Sequence, residues 1–152
     1  MDDKKIAQIL DRHERDPAAL LAILQDIQDE ENYLPKEVVT SVAKQLGVSL
    51  ARVYSLATFF SSFSLEPRGK HICTVCMGTA CHVRGAPKLV DHVSREFDVP
   101  AGGTTSDMNL TLETVNCVGA CALGPLVILD KEYHGNMTPA RLDKVLKPIK
   151  QE

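Results

Sequence analysis

Four of the five cysteines in this 152-residue chain fall into two close pairs, Cys76-x4-Cys81 and Cys117-x3-Cys121. Each pair sits among small residues: Cys76-Met77-Gly78-Thr79-Ala80-Cys81-His82 in the first loop, Asn116-Cys117-Val118-Gly119-Ala120-Cys121-Ala122-Leu123-Gly124-Pro125 in the second. Four thiolates in two pairs suit two irons, one pair on each, and small residues leave backbone N–H groups free to approach sulfur. Hydrogen bonds to sulfur are a main lever on the potential of an iron–sulfur cluster. The pattern points to a [2Fe–2S] cluster and to the movement of single electrons. Zinc is the rival on spacing alone, although the pairs in its four-cysteine sites are usually tighter, often C-x2-C. Disulfides fit least. The cysteine count is odd, and the opening Met1-Asp2-Asp3-Lys4-Lys5 leads into an amphipathic stretch rather than the apolar run of a signal peptide. Both features point to a reducing, cytoplasmic setting.

The fifth thiol creates a C-x-x-C, Cys73-Thr74-Val75-Cys76. The run His71–Cys76 is β-branched and compact and reads as a strand. Residues three apart on a strand face opposite sides, with Cα atoms about 10 Å apart at a rise of about 3.3 Å per residue. A disulfide needs Cα atoms closer than about 7 Å. A reactive C-x-x-C also opens a helix, which this run does not. Cys73 is therefore expected to be a small buried apolar residue rather than a ligand.

A chain of this length can bury one good core or two small ones to position such thiols. Charge divides it unevenly: residues 1–66 hold seven Lys/Arg against eleven Asp/Glu, a net of −4, and residues 67–152 hold ten against nine, a net of +1. The break falls at the turn-rich Glu66-Pro67-Arg68-Gly69-Lys70, which places a domain boundary there, with a helical domain over 1–66 and a second domain over 67–152. No apolar run approaches the roughly 18 residues that span a bilayer, so any membrane association is expected to come through partners.

The first part reads as helices. A short one is expected around Ile6–Leu10. Asp16 before Pro17 caps another, with a stripe through Leu20, Leu21, Ile23, Leu24 and Ile27. Leu34-Pro35 ends it and opens a helix through Val38, Val39, Val42 and Leu46, closed by Gly47. Ser49 caps the next, with Leu50, Val53, Tyr54, Ala57 and Phe60 at helical spacing, and Phe59, Phe60 and Phe63 read either as helix core or as exposed to a partner. Val42 to Tyr54 imitates a DNA-binding helix-turn-helix, but its second helix offers Arg52 alone where bases and phosphates need basic and amide groups. The acidic surroundings oppose phosphate binding, which excludes nucleic acid as the expected partner.

The second part alternates strand and helix. His71–Cys76 is followed by a helix over Pro87–Phe97, with Leu89, Val90 and Val93 inward. In the strand Leu110–Val115, Leu110, Leu112 and Thr114 are expected on one face. Leu126–Leu129 and Glu132–His134 form a hairpin about Asp130-Lys131, and Thr138-Pro139 starts a last helix through Leu142, Val145 and Leu146. Gly102–Ser106 reads as a flexible connector, without the setting of a phosphate-binding loop. The pattern predicts an α+β chain in two parts, an N-terminal helical bundle and a thioredoxin-like α/β domain. Both cysteine loops follow strands and can meet at one end of the sheet.

Val75 to Ala86 and Glu113 to Pro125 together closely resemble the thioredoxin-like [2Fe–2S] subunit of respiratory complex I. The same family supplies small subunits of NAD-linked, often electron-bifurcating, hydrogenases and of some formate dehydrogenases. The resemblance continues upstream through Leu46–Tyr54 and Ala57–Lys70, which look like the family's helical N-terminal domain, and covers nearly the whole chain.

The resemblance implies a [2Fe–2S] cluster on Cys76, Cys81, Cys117 and Cys121, with no role for Cys73. It implies a larger FMN- and NADH-binding partner that performs hydride chemistry, a further iron–sulfur subunit, and an electron-transfer chain inactive by itself. The alternative is a zinc-stabilised interaction module without a redox role. A cluster on four thiolates carries a net charge of about −2, and about −3 once reduced. Arg84 reads equally as an offset to that charge and as an ordinary surface ion pair. His82 reads as a packed or solvent-facing histidine ahead of one that tunes potential or couples a proton.

Overall fold

The computed structural model describes residues 1–151, with the backbone alone for Gln151. The chain forms two compact units, Met1–Pro67 and Arg68–Glu152; Glu152, the last residue of the expected second domain, lies outside the described residues.

The first unit is helical. Helix α1 (Asp3–Arg12) buries Ile6, Ile9 and Leu10. The Asp16 carboxylate accepts the Ala18 N–H at 2.8 Å, and Pro17 opens a 3-10 turn, Pro17–Ala19, that leads into α2 (Leu20–Glu31). Helix α3 (Lys36–Leu46) ends at Gly47, whose φ of 65° is the left-handed conformation that glycine adopts without strain. The Ser49 hydroxyl accepts the Arg52 N–H at 3.3 Å and opens α4 (Leu50–Phe59). Aliphatic side chains of all four helices share one core, including Leu10, Ile23, Leu24, Val39, Val42 and Val53. Burying each Leu or Ile contributes roughly 1.5–3 kcal/mol. Phe63 joins this core and Phe60 packs against it, but Phe59 is 79% exposed, so the two readings of these phenylalanines divide between them. Two residues beyond the buried Ala57, Phe59 lies about 200° around the helix, on the opposite face.

The second unit is built on a four-stranded sheet in the order β2-β1-β3-β4. Strands β1 (His71–Cys76) and β2 (Leu110–Val115) are parallel, with Cys76 opposite Val115. Strand β3 (Val127–Leu129) runs antiparallel to β1, and β4 (Glu132–His134) closes a hairpin through Asp130 and Lys131, both at positive φ. The β1–β2 crossover contains α5 (Thr79–Val83) and α6 (Ala86–Phe97). Helix α6 packs on both strands and on α7 (Pro139–Leu146), whose first turn is capped by the Thr138 hydroxyl accepting from the Arg141 N–H. Leu89 and Val93 meet Val75, Leu110, Leu112 and Leu126 in the core.

One expectation for this unit needs correction. Gly102–Ser106 is no loose connector: Gly102 N–H donates to the Leu112 carbonyl at 2.7 Å, Leu112 N–H to Gly103 at 2.9 Å and Thr105 N–H to Leu110 at 2.8 Å. The segment satisfies the outer edge of β2, whose backbone groups otherwise have no strand beside them. On the other face of β2, Thr111 is buried with its hydroxyl satisfied: it accepts the Gly69 N–H at 2.7 Å and pairs with that of Thr104 at 2.8 Å.

Candidate metal centre

Parallel pairing of β1 and β2 brings the chain out of both strands at one end of the sheet. Cys76 is the last residue of β1, and Cys117 comes two residues after β2. The first cysteine stretch is not the simple loop that its small residues suggest. Its second cysteine lies on α5, which buries Cys81 while leaving His82 and Val83 exposed. Cys121 begins a 3-10 turn, Cys121–Leu123, ahead of the cis Gly124–Pro125 peptide. Cys76 and Cys81 are buried; Cys117 and Cys121 are exposed.

The two stretches are interlocked. A Cβ added to Gly78 would lie 3.3 Å from the Cys117 Cβ, and one added to Gly124 would lie 3.0 Å from the Cys81 sulfur. Burial opposes ionisation of Cys76, yet the N–H groups of Gly78 and Val118 and the Cys81 thiol all donate to its sulfur, and its pKa falls below the ordinary thiol value. Cys81 moves the opposite way: burial raises its pKa, the Leu126 N–H lowers it, and Cys76 and Cys121 raise it further. Gly119 N–H points at the Cys117 sulfur at 3.3 Å. Three of the four sulfurs thus accept backbone N–H groups, donors of the kind that tune sulfur-bound negative charge in a cluster.

Arg84 completes the join. Its Nη1 donates to the Cys121 carbonyl at 2.9 Å and to the Gly124 carbonyl at 3.3 Å. The sequence offered an offset to cluster charge or a surface ion pair, and neither reading anticipated a tie to backbone carbonyls. An open cavity of about 600 Å³ lies over the join, lined by Gly78, Thr79, Ala80, Val83, Arg84, Asn116, Cys117 and Cys121.

Cys73 lies fully buried in the sheet, opposite Leu112 and Leu129 on the neighbouring strands. Burial, with a smaller contribution from the Asp130 carboxylate, pushes its thiol pKa up to about 12, so it stays a neutral apolar side chain.

The donor set fits a binuclear cluster. A single zinc ion draws its four ligands about one point. Two irons ask only for two pairs of thiolates, with N–H donors for the sulfurs and no side chain in the way, as Gly78 and Gly124 provide.

The model of the family described as thioredoxin-like [2Fe-2S] ferredoxin matches residues 6–150. Over 143 residues the chain is 36% identical to the NADP-reducing hydrogenase subunit HndA of Solidesulfovibrio fructosivorans, covering 94% of this chain and 84% of that protein. Over 133 residues it is 37% identical to a subunit of the NADH-quinone oxidoreductase of Rhizobium meliloti (strain 1021), covering 88% of this chain and 79% of that protein. An NAD+-reducing [NiFe]-hydrogenase in the H2-reduced state shares the fold, with a TM-score of 0.80 and 19% identity over 91% of this chain. The match spans 23% of that hydrogenase chain. Among the described residues no helix is long and apolar enough to cross a membrane.

Proposed function

The chain belongs to the thioredoxin-like [2Fe–2S] ferredoxin family, and from that membership we propose that it is the electron-transfer subunit of a multisubunit, NAD(H)-linked oxidoreductase. Cys76 and Cys81 hold one iron of a [2Fe–2S] cluster, and Cys117 and Cys121 hold the other. Its relatives, subunits of an NADP-reducing hydrogenase and of an NADH-quinone oxidoreductase, support the assignment to such a complex. The observation that carries the ligand set is the interlocking of the two cysteine stretches, with backbone N–H groups of Gly78, Val118, Gly119 and Leu126 directed at their sulfurs.

When bound, the cluster supplies a one-electron couple. The protein's own groups decide how it is used. N–H donors of both stretches stabilise negative charge on sulfur, and the burial of Cys76 and Cys81 keeps water from that side. Cys117 and Cys121 face the open cavity and are the side from which a partner is within reach.

A hydride carries two electrons, so a flavin must split the pair before a single-electron carrier takes part. The partner is therefore an FMN-containing, NADH-binding subunit, with a larger iron–sulfur subunit beyond it. The chain performs no hydride chemistry alone and works on the cytoplasmic side, meeting a membrane only through partners. The test is to mix the cluster-loaded chain with the purified flavin subunit and NADH under anaerobic conditions. Bleaching of the visible spectrum together with a reduced-cluster EPR signal supports the relay; a colourless chain holding one zinc sinks it.

A further inference from the structure

We propose that Arg84 is a positioning residue that pins the second cysteine loop onto the helix carrying Cys81, and thereby governs how firmly a [2Fe–2S] cluster is held and at what potential. The inference rests on the ligand assignment above. Two four-residue segments clasp each other at this point. Arg84 lies three residues after Cys81, at the C-cap of α5, where residues i and i+3 share a helix face. Gly124 lies three residues after Cys121. The Arg84 guanidinium grips both ends of the second segment, at the carbonyls of Cys121 and Gly124. In return, Gly124 rests on the Cys81 sulfur, so closely that a Cβ there would lie 3.0 Å from it. Each ligand-bearing segment is held by the residue three places beyond the ligand of the other.

The clasp matters because its second half is exposed. Cys121 lies on the surface in a single turn, with no strand or long helix to fix it. Hydrogen bonds from a charged donor are stronger than neutral ones, and those of Arg84 end on the backbone of the ligand itself. Arg84 also lines the same cavity as Cys117 and Cys121. A cation there favours the reduced state of a centre whose negative charge grows on taking an electron. Lysine at this position keeps the charge but lacks the planar, preorganised guanidinium; glutamine keeps an N–H donor and lacks the charge.

The experiment compares the full-length wild type with Arg84→Lys and Arg84→Gln, each loaded with iron and sulfide. It follows the rate at which a chelator bleaches the visible spectrum, the potential from an EPR-monitored titration, and the melting temperature of the cluster-free chain. Arg84→Gln is expected to bleach at least tenfold faster and to reduce less readily by about tenfold, a shift of about 59 mV to more negative potential for one electron. Arg84→Lys is expected to bleach faster than wild type while keeping the wild-type potential. Wild-type bleaching and potential in Arg84→Gln overturn the proposal, as does a lowered melting temperature with both unchanged, since that is support of the fold alone. If Arg84→Gln takes up no cluster, Arg84→Lys decides: wild-type bleaching overturns the clasp and faster bleaching supports it. A wild-type chain that takes up no cluster overturns the ligand reading, and this inference with it.

Discussion

Gly78 packs directly on the carbonyl of Asn116, so that a Cβ added there would lie 2.7 Å from the oxygen. The contact joins the two cysteine stretches through backbone, which cannot step aside as a flexible side chain does. Gly78→Ala is expected to destabilise the second unit by about 1–3 kcal/mol, the usual effect of overpacking, and to lower cluster occupancy. Gly47→Ala is the control. Its φ of 65° makes it cost about 1–2 kcal/mol, but nothing lies within 4 Å of the new methyl group. Thermal melts and the ratio of visible to ultraviolet absorption check both; equal cluster occupancy in the two variants refutes the packing argument.

Replacing any one of Cys76, Cys81, Cys117 or Cys121 by Ala is expected to weaken or abolish the visible spectrum. Cys73→Ala should keep it, at a loss of stability from the small cavity left beside Leu112 and Leu129 on the adjacent strands. Iron and acid-labile sulfide analysis of the five variants checks the ligand set, and loss of the spectrum in Cys73→Ala alone overturns it.

The sequence carried the cysteine pairs, the strand that ends in Cys76, and the caps at Ser49 and Thr138, because each depends on a few adjacent residues. It did not carry features made by distant backbone. Helix α5 has five residues, too few for a helical period to stand out from a loop of small residues, so the helical setting of Cys81 was missed. The hydrogen bonds of Gly102–Ser106 to the edge of β2 depend on where that edge lies, and glycine and threonine give no alternation to reveal them. The tie made by Arg84 was in neither of its two readings, because its partners are carbonyls 37 and 40 residues away, and carbonyls leave no mark in the residue types. Phe59 and Phe63 look alike in sequence, yet only Phe63 is buried, since α4 ends between them.

Cys73 should make the protein sensitive to alkali. Burial raises its pKa from the ordinary thiol value of 9.0 to about 12, so between those values the folded chain keeps a proton that the unfolded chain has released. A state that holds more protons than the unfolded one loses stability as pH rises. The contribution is fully present below about pH 9 and falls by up to about 1.4 kcal/mol per pH unit above it. Denaturant unfolding of the cluster-free chain at pH 8 to 11 (roughly the window set by these thiol values) should show this slope, and Cys73→Val should reduce it. An unchanged slope in Cys73→Val sinks the assignment. Iodoacetamide at pH 8 should leave Cys73 unlabelled in the native chain and modify it after unfolding, because the neutral buried thiol is not the nucleophile.

Alone, the cluster-loaded chain should neither bind nor oxidise NADH, but should accept one electron from a chemical reductant. The sequence has no dinucleotide-binding fingerprint, and the cavity beside the cysteines is lined by small residues, Val83, Asn116 and Arg84, with no glycine-rich turn leading from a strand to a helix of useful length. An equilibrium titration of the isolated chain should fit a one-electron curve, with a tenfold change in ratio for every 59 mV or so. Addition of NADH should leave the oxidised spectrum unchanged until the flavin subunit is supplied. Rapid oxidation of NADH by the flavin-free chain would overturn the division of labour between the subunits. A two-electron curve would place the redox change on a dithiol pair, such as Cys76 and Cys81, instead of on a [2Fe–2S] centre.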